Sequence, residues 1–412
     1  MEKFDIGIVG AGPGGYSAAL AAATNGKKVV LFEKENIGGV CLNKGCIPTK
    51  SILHVSELYK KVKNIEIFGI SVSDVSFDFS KVIERKNKTI ETLRKGIELA
   101  LKNAKVTVIK AEAEILDKNT IKANNEVFDC NEIICANGSS PKELKGLEFD
   151  HKFILSSDDI LELETLPKNI LIVGSGAIGI EWARILSNFG VEVTLIEIAP
   201  HLLPLADIEV SKRIERSFKS AKIKFLTDTG IQKVENGSVQ LSDGNILTPQ
   251  KILAATGRVP NCDHKIAGIT YIGDAAGEIQ LAHYAIKQAY DKTLNICYRK
   301  DLIPSVVYGT PEIAWVGKRE QDLENEDYQK SIQLVSALGK AQADGETEGF
   351  IKLLVQNNKI VGAHIMCAEA SSLLMQVVIA MQNNIDLDNL KEICFAHPTY
   401  SEGIFEAIQK LA

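Results

Sequence analysis

The chain opens on apolar positions Phe4, Ile6, Ile8 and Val9, which run into Gly10, Gly12, Gly14 and Gly15. An alanine-rich stretch follows as far as Gly26, and a second apolar run, from Val29 to Phe32, ends in Glu33 and Lys34. This order predicts a buried strand, a tight turn, a helix, a glycine stop and a second strand. Between Asn169 and Ile198 the same punctuation returns at a constant offset, so that Gly10, Gly12, Gly15, Gly26 and Glu33 fall on Gly174, Gly176, Gly179, Gly190 and Glu197. Such an internal repeat predicts two βαβ units. Further on, Tyr308 to Gly317 and Gly349 to Val355 read as strands, Ser371 to Met381 as an apolar helix, and Ile404 to Leu411 as a closing segment. The expected fold class is α/β, with two Rossmann-like dinucleotide-binding units followed by a C-terminal α+β association domain.

Each glycine of the repeat has a separate job. Gly10 or Gly174 makes the tight turn, Gly12 or Gly176 lets backbone approach a pyrophosphate, and Gly15 or Gly179 lets helix and strand pack closely. The helix N-terminus, which in the second copy carries Ala177 and Ile178, then meets the phosphate charge. Glu33 and Glu197 close their second strands where a carboxylate accepts from a ribose 2′-hydroxyl and repels a 2′-phosphate. One Gly-x-Gly-x-x-Gly could be a structural turn only; two in register argue for two dinucleotides. The first unit leads at once into a cysteine pair, which makes it the candidate for FAD and leaves the second for NAD. Ile198, Ala199 and Pro200 bring no cation for a 2′-phosphate, which favours NAD over NADP.

A chain of 412 residues is too long for one core, so two or three domains are expected. A hydrophobic content of 45% and a charged content of 24% place it among globular proteins rather than disordered ones. The net charge of −6 comes without a basic stripe, which argues against nucleic acid and against an anionic membrane surface. Apolar stretches such as Ser17 to Ala23 are too short for a bilayer, and Met1 leads straight into the first strand; a cytoplasmic protein is expected. Cys130, Cys135, Cys262, Cys297, Cys367 and Cys394 show no motif spacing and read as buried small hydrophobes.

The most specific stretch is Gly38-Gly39-Val40-Cys41-Leu42-Asn43-Lys44-Gly45-Cys46-Ile47-Pro48-Thr49-Lys50. Zinc would need four ligands, and no Cys or His partner lies at a usual spacing, so no metal site is expected. In a cytosolic protein, a close cysteine pair points to catalysis rather than to a static staple.

With these residues in view, the chain resembles the flavin-dependent pyridine nucleotide-disulfide oxidoreductases over nearly its whole length. The resemblance rests on the cysteine block, both glycine fingerprints, Ala255-Thr256-Gly257-Arg258-Val259-Pro260-Asn261, Gly273-Asp274, Leu281-Ala282-His283 and His397-Pro398-Thr399-Tyr400-Ser401-Glu402. Leu42, Ile47 and Thr49 are closer to the members that oxidise dihydrolipoamide than to glutathione or mercuric reductases. The resemblance implies that Cys46 is the sulfur beside the flavin and Cys41 the interchange thiol. It pairs Lys50 with Glu181 near the flavin ring and gives FAD contacts to Gly10, Gly12, Gly14, Gly15, Glu33, Lys34, Gly39, Val40, Lys50, Ala113, Gly138, Asp274 and Ala282. NAD contacts fall to Gly174, Gly176, Ala177, Ile178, Gly179, Glu197 and Gly257. Asn137 stands where the family usually has Thr.

Thiol–disulfide exchange requires a thiolate, so a neutral dithiol needs a base that works near neutral pH. Any single histidine reads first as a surface or capping residue. His397 differs because Pro398 restricts the backbone beside it and Glu402 can orient its ring. The family motif around it implies a base reaching the site from the other subunit of a homodimer.

The domains expected are residues 1–142 for FAD, completed by 268–300, residues 143–267 for NAD, and residues 301–412 for dimerisation. The implied reaction is oxidation of protein-bound dihydrolipoamide with reduction of NAD+. The implied partner is a lipoyl domain of an acyltransferase or a glycine-cleavage carrier protein. Another disulfide reductase of the family, or a non-catalytic FAD-binding component of a complex, remains an alternative. The stretch from Asn261 to Asp274 is markedly shorter than is usual in the family, and the missing part is expected to be a peripheral hairpin.

Overall fold

The structure is a computed structural model that describes residues 3–262 and 265–411. Chain order begins β1 (Lys3–Val9), α1 (Pro13–Thr24), β2 (Val29–Glu33), α2 (Gly39–Lys44), α3 (Cys46–Lys63), α4 (Phe79–Asn103), β3 (Thr107–Lys110), β4 (Ala113–Ile115), β5 (Thr120–Ala123) and β6 (Glu126–Cys135). These strands form one sheet in the order β3-β2-β1-β6-β5-β4, with β3, β2, β1 and β6 parallel. The parallel strands read as continuous apolar runs because both faces of the sheet are covered. On one face α1 packs through Ala18, Ala19 and Ala22.

The second unit follows β7 (Ser139–Pro141) and β8 (Ile154–Leu155). It comprises β9 (Asn169–Val173), α5 (Ala177–Asn188), β10 (Glu192–Ile196), α6 (Ile208–Ser220), β11 (Lys224–Leu226), β12 (Ile231–Glu235), β13 (Ser238–Leu241), β14 (Ile246–Leu247) and β15 (Lys251–Ala254). A parallel sheet runs β11-β10-β9-β15-β8, and β12, β13 and β14 form a separate antiparallel layer.

The repeat is reproduced in the backbone. Gly10 has φ +96° and Gly174 φ +99°, a region that disfavours any side chain. A Cβ on Gly15 would come within 1.8 Å of the Gly10 carbonyl oxygen, and one on Gly179 within 1.9 Å of that of Gly174. Helix and strand therefore meet backbone to backbone in both copies.

The return to the first sheet is brief. β16 (Arg258–Pro260) pairs with β7, and β17 (Thr270–Tyr271) lies parallel to β6, Tyr271 opposite Cys135. α7 (Ala282–Leu294) then packs against α1. The segment joining β16 to β17 is irregular where it is described, tied by Lys265 Nζ donating to Ala276 O at 2.8 Å and by Ile266 N donating to Tyr271 Oη at 2.8 Å.

The C-terminal part contains β18 (Ser305–Val307), β19 (Glu312–Gly317), β20 (Gln329–Leu334), α8 (Gly339–Asp344), β21 (Phe350–Gln356), β22 (Lys359–Cys367), α9 (Ala370–Gln382), α10 (Leu387–Lys391) and α11 (Glu402–Gln409). Its antiparallel sheet has the order β18-β19-β22-β21-β20. The strand expected from Tyr308 begins only at Glu312. Residues 308–310 are instead bound to side chains of α3 and α5. Among the described residues no helix is long and apolar enough to cross a membrane.

Candidate active site

α2 and α3 exist to present the two cysteines. Gly38, at φ +100°, starts α2, and Asn43 ties the turn by donating through Nδ2 to Gly39 O at 2.8 Å and to Ile37 O at 3.1 Å. Arg94 on α4 holds the other end of that amide, Nη2 donating to Asn43 Oδ1 at 2.6 Å. Cys41 lies within α2 and Cys46 is the first residue of α3; both are free thiols and half-buried. The pair is electrostatically unequal. A hydrogen bond from the Cys41 thiol, helped by the Lys50 ammonium, pulls Cys46 down to about 7, while Cys41 is pushed up because it keeps its proton for that bond. Position at a helix N-terminus favours the Cys46 thiolate further.

One turn beyond Cys46, Lys50 Nζ donates to Glu181 Oε2 at 2.7 Å and to Oε1 at 2.9 Å. Glu181 is buried on α5, so the bond ties the cysteine helix to the second nucleotide unit.

The two glycine turns share the same backbone contacts. Glu33 Oε2 accepts from Ala11 N and Oε1 from Glu35 N, both at 2.8 Å. In the second copy Glu197 Oε2 accepts from Ser175 N at 2.8 Å and Oε1 from Ala199 N at 2.9 Å. Each carboxylate is fixed by backbone and still has lone pairs free for a ribose. A Cβ on Gly176 would meet nothing within 4 Å, and one on Gly12 only Gly39 Cα at 3.9 Å, so both turns are open where a pyrophosphate would approach. Gly176 and Ala177 are exposed and Ile178 half-buried at the start of α5. Gly14, by contrast, faces Ile272, just beyond β17, and Ala285 of α7.

Several other predicted residues converge on the first turn. Gly39 comes so close to Gly12 that a Cβ would stand 2.6 Å from its Cα. Asp274, in the turn after β17, accepts from Ser139 Oγ, which in turn accepts from Arg258 Nε at 2.9 Å. Asn137 donates through Nδ2 to Asn261 O, leaving its buried Oδ1 without a partner. A buried orphan oxygen beside the first nucleotide turn fits a ligand that brings a donor. Val40, Ala113 and Ala282 are half-buried, at α2 and at the starts of β4 and α7; Gly138 and Gly257 have positive φ and open space around them. Lys34 is exposed, its Nζ 3.3 Å from Glu112 Oε1.

His397 is 75% exposed, and its Nδ1 lies 2.7 Å from Glu402 Oε1. Glu402 Oε2 also accepts from Thr399 N at 2.8 Å, and these bonds hold its carboxyl below the usual range, so it stays ionised and orients the ring. Among the described residues no hydrogen bond or ion pair joins His397 to either cysteine of its own chain.

Asn43, Arg94, Ser139 and Tyr308 were not singled out by sequence. Asn43 lies inside the cysteine block and Ser139 follows the predicted Gly138 directly; Arg94 and Tyr308 carry no local signal, since their meaning lies in contacts between distant segments. Two cysteines correct the sequence reading. Cys297 and Cys394 are exposed rather than buried, because they lie on short segments beyond α7 and α10. Cys262 is half-buried, while Cys130, Cys135 and Cys367 are buried. No group of residues able to hold a metal ion occurs among the described residues.

Compared with known families, residues 4–284 match the pyridine nucleotide-disulphide oxidoreductase model, and residues 303–408 match the dimerisation domain of the same name. The chain belongs to the pyridine nucleotide-disulphide oxidoreductases. Curated members of similar sequence include the dihydrolipoyl dehydrogenases of Chlorobaculum parvum, 34% identical over 98% of this chain and 96% of the relative, and of Bacillus subtilis, 33% identical over 98% and 97%. The first of these alignments spans 453 positions against a chain of 412, so this oxidoreductase is the shorter partner, in keeping with its brief β16–β17 crossover. Among solved structures it is similar to LpdA of Mycobacterium tuberculosis, with a TM-score of 0.92 and 23% identity over 100% of both chains, which supports the fold alone.

Proposed function

We propose that this oxidoreductase is an FAD-containing, NAD-linked dihydrolipoyl dehydrogenase that acts on a dihydrolipoyl group carried by a partner's lipoyl domain. The observation that carries the reading is the cysteine pair itself, Cys41 within α2 and Cys46 opening α3, set one turn from the Lys50–Glu181 pair where the two glycine-turn units meet. Residues 1–142 with 268–300 are assigned to FAD, 143–267 to NAD, and 301–412 to dimerisation of a cytoplasmic homodimer.

In the oxidised enzyme Cys41 and Cys46 share a disulfide. A substrate thiolate attacks the Cys41 sulfur, forming a mixed disulfide and releasing Cys46 as a thiolate, the form that Lys50 and the start of α3 favour. The second substrate sulfur then attacks the first, closing the cyclic disulfide product and releasing Cys41, which takes up a proton as the thiol. His397 of the partner subunit removes the substrate proton, its ring held by Glu402. Bound FAD supplies the two-electron link between the sulfur pair and the nicotinamide. Glu197, fixed by Ser175 and Ala199, would accept a ribose hydroxyl and repel a 2′-phosphate.

The test compares substrates on the purified flavoprotein. Dihydrolipoamide with NAD+ should turn over at least about 100-fold faster than with NADP+, a discrimination of about 2.7 kcal/mol. Turnover of glutathione disulfide with NADPH and none of dihydrolipoamide would move the chain to another reductase of the family.

A further inference from the structure

Tyr308 lies outside every motif considered above, in the C-terminal part of the chain, yet its ring reaches the cysteine helix. Lys50 Nζ stands 4.7 Å from the ring centroid. The Tyr308 backbone N–H donates to Glu181 Oε1 at 3.1 Å, the same oxygen that accepts from Lys50 at 2.9 Å. The next residues are pinned from both helices. Arg184 on α5 donates through Nη1 to Thr310 O, and Thr310 Oγ1 donates to Glu57 Oε1 on α3 at 2.7 Å. A Cβ on Gly309 would come within 2.8 Å of Arg184 Cδ, so the segment is seated against that arginine.

We propose that Tyr308 is a positioning residue of the redox site: its ring face holds the Lys50 ammonium against the Glu181 carboxylate and beside the cysteine pair, and so couples the C-terminal domain to the thiols. The inference rests on the redox reading above. An ammonium over an aromatic face is attracted by the negative centre of the ring.

The charged and titratable groups facing Tyr308 are Glu312 on β19, Lys50 and Cys46 on α3, and Glu181 on α5. Burial is the main cause that raises its phenol above the ordinary value, with the carboxylates adding to it and Lys50 opposing. The phenol therefore stays neutral at working pH, and the ring acts through its π face rather than as an acid.

The experiment uses the two-electron-reduced, flavin-loaded enzyme and reads the pH at which the long-wavelength absorbance of the Cys46 thiolate is half developed. Tyr308→Phe keeps the face and should leave that pH unchanged. A ring-trifluorinated phenylalanine at the same position keeps the shape but drains the face, and should raise it by about 0.5 unit. Tyr308→Leu removes the face and should raise it by about 0.7 unit, less than loss of the lysine itself. Should the Leu variant lose its flavin, the two phenylalanines, equal in shape, decide between them. Equal midpoints for those two, or a Leu midpoint unmoved or lowered, would overturn the inference while the redox reading stands. A wild-type protein with no flavin and no thiol-dependent turnover would remove both.

Discussion

The Lys50 ammonium lies 2.7 Å from Glu181 Oε2 and 2.9 Å from Oε1, a two-point contact that links the helix begun by Cys46 to the first helix of the second unit. The two charges act on Cys46 in opposite directions, Lys50 lowering its thiol and Glu181 raising it.

Opposite shifts should follow from removing each partner. Lys50→Met takes away a cation that favours the thiolate, so the Cys46 midpoint should rise from about 7 by about one unit. Glu181→Gln takes away an anion while keeping an acceptor for Tyr308 N, and the midpoint should fall. The pH dependence of the reduced enzyme's long-wavelength absorbance measures both. Shifts in the same direction would show that the pair acts on Cys46 only by holding the fold.

His397→Gln should lower turnover of dihydrolipoamide by about 100-fold to 10,000-fold, the usual worth of a positioned general base. Glu402→Gln keeps a hydrogen bond to Nδ1 but loses the charge, and about a tenfold loss is expected. The check is kcat/KM against pH, in which the limb assigned to the base should vanish in His397→Gln and be displaced in Glu402→Gln. Heterodimers of a Cys46→Ser chain and a His397→Gln chain should recover one working site, if the base comes from the partner subunit.

The glycines of the second repeat should separate folding from binding. At Gly179 a methyl group would overlap the Gly174 carbonyl at 1.9 Å, and Gly179→Ala should cost about 3 kcal/mol or more, seen as a large fall in the midpoint of thermal unfolding. At Gly176 a Cβ meets nothing within 4 Å, so Gly176→Ala should fold normally and instead raise KM for NAD+ about tenfold. Equal effects on stability would mean that the second turn is structural.

Acid should weaken the junction between α6 and β21. Lys352 is wholly buried, with Nζ donating to Asp207 Oδ1 at 2.7 Å and also to Glu320, while His364, equally buried, has an unpartnered Nδ1. Burial pulls His364 down to about 4 from an ordinary 6.5. The unfolded chain therefore binds a proton between those values that the folded one refuses, and stability falls as pH drops from 6.5 to 4, by about 3 kcal/mol from this group. Glu320, pulled down to about 2 despite burial by its bonds to Lys330 and Lys352, extends the loss further as pH falls from its ordinary value toward 2. Urea unfolding at pH 7 and pH 4.5 should show the fall in the wild type and a smaller one in His364→Phe.

Much of this fold is legible before any coordinates, because the residues that specify it act locally. Gly10, Gly15, Gly174 and Gly179 are demanded by backbone geometry, and Glu33 and Glu197 are caught by amides only a few residues from each turn and strand end. Cys41 and Cys46 lie on adjoining helices. The Lys50–Glu181 pair was accessible only through resemblance, since nothing in spacing brings those helices together. Tyr308 and Lys352 were not legible at all. Tyr308 reads as part of a strand, whereas Glu181 holds its N–H and Glu57 and Arg184 grip Thr310; Lys352 sits in an apolar run, and only the fold brings Asp207 and Glu320 to it. Cys297 and Cys394 were misjudged for a related reason, because cysteine is usually buried and composition cannot tell that these two lie beyond helix ends.

The path from thiol through flavin to NAD is best followed by an anaerobic titration of the purified yellow protein with dihydrolipoamide, followed by NAD+, beside a Cys46→Ser control. Substrate should develop the long-wavelength thiolate absorbance and NAD+ should discharge it with stoichiometric NADH, while the control does neither. NADH formation undiminished in Cys46→Ser would contradict that path.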